Sequence, residues 1–314
     1  MTKTILLLML SFCAFACNVL AQTPSLFPVE KNGKAGYIDQ TGKVVIPLKF
    51  DEARAFTEGV APVRIGEDWG YIDKTGQFVI RPQFFEAQRF SEGFAQVGIY
   101  WPRRQIVDST VGYDGYIDKS GRVITKDRFG VAFDFSDGLA EIQTEDYKDG
   151  FIDRTGKIVL YAYTYPGSGF HYGRAMFKTN SNMPGSRAGY IDKTGKIVIP
   201  ATYLWGNEFA EGLACVNAEN RSGFIDPDGK TVVDFKYDGC GSFSEGLASV
   251  LVNGSVGFID KLGKMVIQPR FSWVPGAETH FSDGVAVVKV GESEKPTDEG
   301  LRDATITSDG KILA

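Results

Sequence analysis

The stretch GYIDKTGK, residues 189–196, decides how this chain is read, because it is written seven times. Near copies are GYIDQTGK at 36–43, GYIDKTGQ at 70–77, GYIDKSGR at 115–122, GFIDRTGK at 150–157, GFIDPDGK at 223–230 and GFIDKLGK at 257–264. Their starts lie 34, 45, 35, 39, 34 and 34 residues apart. A period in this range is the mark of a repeat fold, in which each unit buries its apolar face against its neighbours. The stretch ATITSDGKIL at 304–313 keeps Gly310 and Lys311 but lacks the Tyr and has Thr307 in place of Asp, as a degenerate terminal unit would. LFPVEKNGK at 26–34 supplies the strand that precedes the first copy.

A second motif follows each copy: FTEGVAPV (56–63), FSEGFAQV (90–97), FSDGLAEI (135–142), FHYGRAMF (170–177), FAEGLACV (209–216), FSEGLASV (243–250) and FSDGVAVV (281–288). The two motifs start 20 residues apart in six units and 24 apart in the seventh, so length varies mainly in the other link. Helical periodicity is absent, and Val, Ile, Tyr and Phe fall where strands are needed. Each unit reads as three short strands, of the types LACV, GYI and KIVI. The expected fold is all-β: tandem three-stranded meanders, seven plus a degenerate eighth, forming a propeller-like toroid or, alternatively, an open β-solenoid. Val44, Val45 and Ile46 are apolar in succession, which predicts a third strand buried on both faces and sheets stacked on sheets.

Between the second and third strands the pairs Asp39 and Gly42, Asp73 and Gly76, Asp118 and Gly121, Asp153 and Gly156, Asp192 and Gly195, Asp226 and Gly229, and Asp260 and Gly263 predict a turn. The Asp accepts from backbone N–H groups two or more residues on, and the Gly takes positive φ. The competing reading, that Asp226 and Asp228 belong to a calcium loop, lacks the acidic cluster that would complete a cage. The aromatic after the first Gly (Tyr37, Tyr71, Tyr116, Phe151, Tyr190, Phe224, Phe258) reads as core, since Phe and Tyr interchange there. The second motif's Gly marks a tight turn. The acid before it is Tyr172 in one copy, and so reads as a replaceable turn partner.

The chain has 314 residues and a formal charge of −5, with both signs mixed and no basic run, which argues against nucleic acid as a partner. Lys3, an apolar stretch at 5–17 and Val19-Leu20-Ala21 predict a signal peptide over 1–21, followed by one repeat domain over 22–314 with no transmembrane helix. Acylation at Cys17 is the rival reading of the same segment. The expected location is therefore exported: periplasmic, outer-surface or secreted. Cys215 and Cys240 then remain, either as one bridge or as two thiols.

His171 and His280 are the two histidines, too few for a multi-His metal site. Cys240-Gly241-Ser242 has the look of a nucleophile's surroundings but no matched His. No catalytic residue, metal site or cofactor is expected.

Taken together, GYID-x-Thr-Gly-Lys-x-Val-Ile-x-Pro followed by Phe-Ser-Glu-Gly-Leu-Ala-x-Val resembles the WG repeat of bacterial proteins, over nearly all of the chain from residue 26. The name-giving pair survives as Trp69-Gly70; elsewhere that position holds Ala35, Asp114, Asp149, Ala188, Ser222 or Val256. The resemblance implies an all-β array supposed to mediate protein or surface interactions, and it brings no catalytic residues.

Insertions at 98–114, 178–188 and 290–303 interrupt the period and should decorate one face. Tyr100, Trp101, Arg103 and Arg104 in the first, with Met183 and Arg187 in the second, are the candidate binding residues, Trp, Tyr and Arg being typical interface anchors. The expected function is a non-catalytic protein-interaction or scaffold module of the cell envelope, with an unidentified protein as partner. An envelope polysaccharide binder is the alternative, favoured if exposed aromatics line a groove. A hydrolase or lyase on the same scaffold is the third reading.

Overall fold

The computed structural model describes residues 25–100, 112–162, 164, 167–179, 185–274, 279–291 and 301–313. They contain strands and turns and no helix, hence none long and apolar enough to cross a membrane. The predicted signal segment, and with it Cys17, lies outside them.

Each unit folds as a small antiparallel array of strands, here called a blade; a single pairing, Asp114 with Phe129 and Ser272 with Lys289, joins blades 3 and 4 and blades 7 and 8 into longer sheets. Blade 2 shows the pattern: Glu52–Ala53, Val60–Ile65, Asp68–Asp73 and Phe78–Phe84 lie side by side in that order. The three predicted strands are present, with a short leading strand ahead of them in blade 2 and again at Trp205–Gly206 and Gly239–Cys240. Eight blades follow one another, the last built from Phe281–Ser282, Val285–Gly291, Leu301–Thr307 and Ile312–Leu313.

The second motif is a two-residue hairpin. Thr57 and Val60 exchange both backbone hydrogen bonds at 2.9 and 3.0 Å, and the residues between them, Glu58 and Gly59, have φ of 49° and 89°. Two positive φ values in succession are what a type I′ turn requires. The first motif closes with a different turn. In blade 1 the Asp39 carboxylate accepts from Thr41 N (2.9 Å), Thr41 Oγ1 (2.6 Å) and Lys43 N (3.1 Å), while Gly42 donates to the Asp39 carbonyl at 3.0 Å.

The core is a chain of seven clusters, each shared by two consecutive blades. One, for example, joins Trp69, Tyr71 and Ile80 of blade 2 to Phe90, Val97 and Ile117 of blade 3. At every joint the motif aromatic meets the Phe that opens the next blade. Tyr37–Phe56 lie 4.8 Å apart, Tyr71–Phe90 4.9 Å, Phe151–Phe170 4.8 Å and Phe258–Phe281 5.1 Å. Such pairs add ~0.5–1.5 kcal/mol beyond area burial. This contact explains the constant 20-residue spacing: the two motifs sit on opposite sides of one joint.

Glycine before the aromatic is required by close backbone crossing. A Cβ on Gly70 would stand 2.6 Å from the Ile80 carbonyl oxygen, and one on Gly189 2.7 Å from that of Ile199. The third strand bulges at this crossing, its register slipping between Trp69↔Phe84 and Tyr71↔Ile80.

One expectation is overturned. The third strand is not buried on both faces: Ile46 is 1% exposed, but Val44 and Val45 are 49% and 41% exposed. This strand is the free edge of its sheet, and of these three residues only Ile46 is covered, by the turn of the next blade. A Cβ on Gly76 would lie 2.9 Å from Ile46 Cγ2. The same turn-on-Ile contact recurs at Gly121 on Ile80 and Gly310 on Ile267, whereas Gly42, with no blade before it, has nothing within 4 Å.

Candidate functional site

The candidate residues of the insertions are only partly within the described structure: Trp101, Arg103, Arg104 and Met183 lie outside it. Tyr100 turns back on blade 2, donating to Asp68 Oδ1 at 2.8 Å and packing edge-on against Phe85 at 5.6 Å. Burial, then the Asp68 carboxylate, push its hydroxyl up to about 12. Arg187 is held at its base, its N–H donating to Thr179 Oγ1 (3.0 Å) and its Nη1 to the Thr202 carbonyl (3.3 Å). Both are therefore engaged with their own scaffold.

The acid of the second motif does something the sequence did not reveal. It is not a partner of its own turn; it reaches the next blade. Glu58 accepts from Gly93 N at 3.1 Å, Glu92 from Gly138 N at 2.8 Å, Asp137 from Gly173 N at 2.5 Å, Glu211 from Gly246 N at 3.1 Å and Glu245 from Gly284 N at 2.9 Å. The cation after the turn Asp closes the clamp, with Lys119 on Glu58 (3.1 Å), Arg154 on Glu92 (2.9 Å) and Lys261 on Glu211 (3.0 Å). Tyr172 cannot accept in this way, and the cation of the following turn is replaced by Pro227. At that joint His171 Nε2 faces Glu208 Oε2 at 3.1 Å, and His171 Nδ1 meets Ser136 Oγ at 3.3 Å. Arg174 adds a bond to the Pro227 carbonyl at 2.6 Å. His171 is thus part of a joint.

The motif tyrosines also span joints. Tyr37 donates to the Arg54 carbonyl, Tyr71 to that of Gln88 and Tyr190 to that of Asn207, each at 2.7 Å. Where Phe replaces Tyr, other devices tie the same link. Behind Phe151, the buried Glu141 carboxylate accepts from Thr164 Oγ1 (3.0 Å), Gly167 N (3.1 Å) and Gly169 N (3.3 Å). Burial raises its pKa against the pull of these donors. Behind Phe224, Cys215 and Cys240 form a disulfide with Cα atoms 5.9 Å apart, which settles the alternative left open by the sequence.

The seventh joint keeps its ring contact although its link is longer. Trp273, 51% exposed, stands at the start of this longer link, and Thr279 and His280 at its end. With residues 205–207 and 238–244 they line a cleft of about 900 Å³ that runs along blades 6 to 8. This is within the range of small-molecule sites, about 300–1,000 Å³. Trp205 lines the same cleft as Trp273, with the buried Phe243 and the Cys240 half of the disulfide also lining it. Asn207, Ser242, Ser249 and Thr279 supply uncharged polar groups. Asn207 is fixed three ways: its N–H donates to the Cys215 carbonyl (2.9 Å), its carbonyl accepts from Tyr190, and its Nδ2 donates to Ser242 Oγ (3.4 Å). Asp238 at the rim is taken by Arg221 Nη1 and by Asn253 N (2.7 Å). Among the described residues no Lys or Arg lines the cleft. The signal for this site was present in the sequence as the single 24-residue interval, but nothing local distinguished it from a tolerated surface insertion.

The repeat pattern of the WG containing repeat matches residues 36–67, 69–99, 115–147, 150–182, 189–221, 223–255 and 257–292. The chain belongs to the WG repeat family. Within this WG repeat protein, the Trp that names the family is Trp69, 3% exposed, with the Arg54 guanidinium stacked 4.2 Å from its ring. No curated protein matches the sequence. Similar solved structures include a eukaryotic initiation factor (9% identity, 94% of this chain and 96% of that one, TM-score 0.47). They also include BamB from Moraxella catarrhalis (11%, 83% and 83%, 0.43) and AztD from Citrobacter koseri (12%, 93% and 85%, 0.34).

Proposed function

We propose that this WG repeat protein is an exported, non-catalytic interaction or scaffold module of the cell envelope. The observation that carries the reading is a repeated one. In the third strand of five blades the residue just before the covered aliphatic side chain is left open to solvent: Val45, Val79, Val159, Val232 and Val266 are 41–50% exposed, and Val44 and Ile197, one place earlier in their strands, are 49% and 54% exposed; all but Val266 lie on strands at the free edge of their sheets. An edge strand offers unpaired backbone groups, and β-branched side chains beside them suit an extended segment of a partner protein. Repetition along clamped blades gives several equivalent contacts on one rigid body, so weak individual contacts add by avidity. Lys3 and the apolar stretch that follows support export.

The test is affinity capture from bacterial envelope extracts. The wild type is compared with a Val44→Lys, Val79→Lys, Ile197→Lys variant and with a chain shortened across residues 101–111. Partners held by the wild type and lost from the lysine variant support the edge strands as the surface. An identical set of partners from all three proteins overturns it. Mass spectrometry of the mature N-terminus should find cleavage after Ala21.

A further inference from the structure

We propose that the cleft lined by Trp205 and Trp273 binds a neutral oligosaccharide, with Trp273 as the stacking platform and Asn207, Ser242, Ser249 and Thr279 as hydrogen-bonding partners of the ring hydroxyls. This goes beyond the protein-interaction reading and does not depend on it, since the cleft and the exposed third-strand edges share no residue named for either role.

Four observations converge. An indole that is 51% exposed lines the concavity, and a second indole, Trp205, lines it too. The C–H faces of a pyranose ring are the uncharged surface an aromatic face accepts, much as aromatic rings accept other apolar edges. The polar groups that line the cleft with the two indoles are an amide and hydroxyls, which both donate and accept, as sugar hydroxyls do. The charge pattern disfavours the main rivals: among the described residues no Lys or Arg lines the cleft, and the Asp238 carboxylate is already engaged by Arg221 and Asn253. A phosphate, sulfate or uronate would find no Lys or Arg among those residues, only the His280 imidazole. A volume of about 900 Å³ has room for more than one ring.

The site is also built more firmly than a surface loop requires. The disulfide fastens its wall across the joint of blades 6 and 7, and Asn207 is held by backbone and side chain together. Groups held in place before the ligand arrives lose less entropy on binding. Trp273, Thr279 and His280 lie in the seventh interval, which is four residues longer than the other six.

Titration calorimetry and tryptophan fluorescence on the full mature chain test the assignment. The probes are neutral oligosaccharides of three to five rings built from glucose, galactose or N-acetylglucosamine, with chondroitin sulfate oligosaccharides as the anionic comparison. At least one neutral series should bind and shift the indole emission. Trp273→Ala should weaken it about tenfold or more, Trp273→Tyr should restore part of the affinity, and Asn207→Ala should also weaken it. Trp273 is half-exposed, so its removal leaves the fold intact, which an unchanged melting temperature verifies. The proposal is overturned if no neutral series binds, if Trp273→Ala binds as tightly as the wild type, or if the anionic probe or a peptide is preferred at this cleft. Loss of saccharide binding with unchanged capture of envelope proteins separates this site from the edge strands.

Discussion

Tyr71 is fully buried and still hydrogen-bonded, its hydroxyl reaching the Gln88 carbonyl across a joint at 2.7 Å. Burial holds that hydroxyl far above its usual pKa, so it remains a donor at any pH the protein meets. Tyr71→Phe removes one oxygen and strands a carbonyl, and should lower the unfolding free energy in urea by about 1–2 kcal/mol. An unchanged midpoint would mean that the carbonyl finds another donor. The turn aspartates act in the opposite electrostatic sense. The Thr75 hydroxyl, before any other cause, holds the Asp73 carboxyl below its ordinary value, and Thr41, Thr155 and Thr194 do the same for Asp39, Asp153 and Asp192. A folded pKa below the unfolded one gives stability that is present above the unfolded pKa, about 4, and is lost as pH falls through the folded value. Replacing Thr41, Thr75 and Thr194 by Ala should therefore lower stability slightly above about pH 4 and remove that part of its fall toward acid pH, so that the acid limb of a stability–pH curve flattens. An unchanged acid limb would show that the hydroxyls are not what favours the ionised carboxylates.

At the scale of elements, the joint between blades 5 and 6 differs from its neighbours. The acid clamp is absent at Tyr172, and the His171–Glu208 pair stands in its place, with Ser136 on the other ring nitrogen and the Asp137 and Glu92 carboxylates also acting on the imidazole. The hydrogen bond to Glu208 is the first cause that raises the His171 pKa. For a histidine raised in this way the contribution is fully present below the unfolded pKa, about 6.5, and fades as pH rises through the folded value. Hydrogen exchange of amides in residues 209–217 should therefore quicken between pH 6 and pH 8, beyond the intrinsic chemical rate, more than exchange in residues 90–97 at a clamped joint. His171→Gln should remove the difference. Equal pH dependence at both joints would exclude a special role for the histidine.

At the scale of the whole molecule, stability is a sum over joints, because each of the seven core clusters belongs to two consecutive blades. No cluster among the described residues joins blade 8 to blade 1; Ile312 is 50% exposed, and Gly42 has nothing over it. Excision of residues 36–69 removes one 34-residue period and joins Ala35 directly to Gly70 without touching either cysteine. The shortened chain should fold cooperatively, with a denaturant slope reduced by roughly one part in eight, since that slope follows the surface exposed on unfolding. Failure to fold would mean that the ends of the array depend on each other.

The sequence by itself determined the strands, the turns and the number of units. Those features are local: an Asp and a Gly three residues apart make a turn, and a repeated 34-residue spacing identifies equivalent positions without locating them in space. Only the tertiary structure decided what the recurring residues touch, because every such contact joins residues a blade apart. Glu58 read as a turn residue until Gly93 lay beside it. Val44 and Val45 read as core until the third strand proved to be an edge, and Gly70 gave no hint that the Ile80 carbonyl passes 2.6 Å from the place of its absent Cβ. The cleft is the furthest case. Trp205, Cys240 and Trp273 come from three links of the chain, and only the stacking of blades 6, 7 and 8 brings two indoles and a row of uncharged polar groups to one concavity.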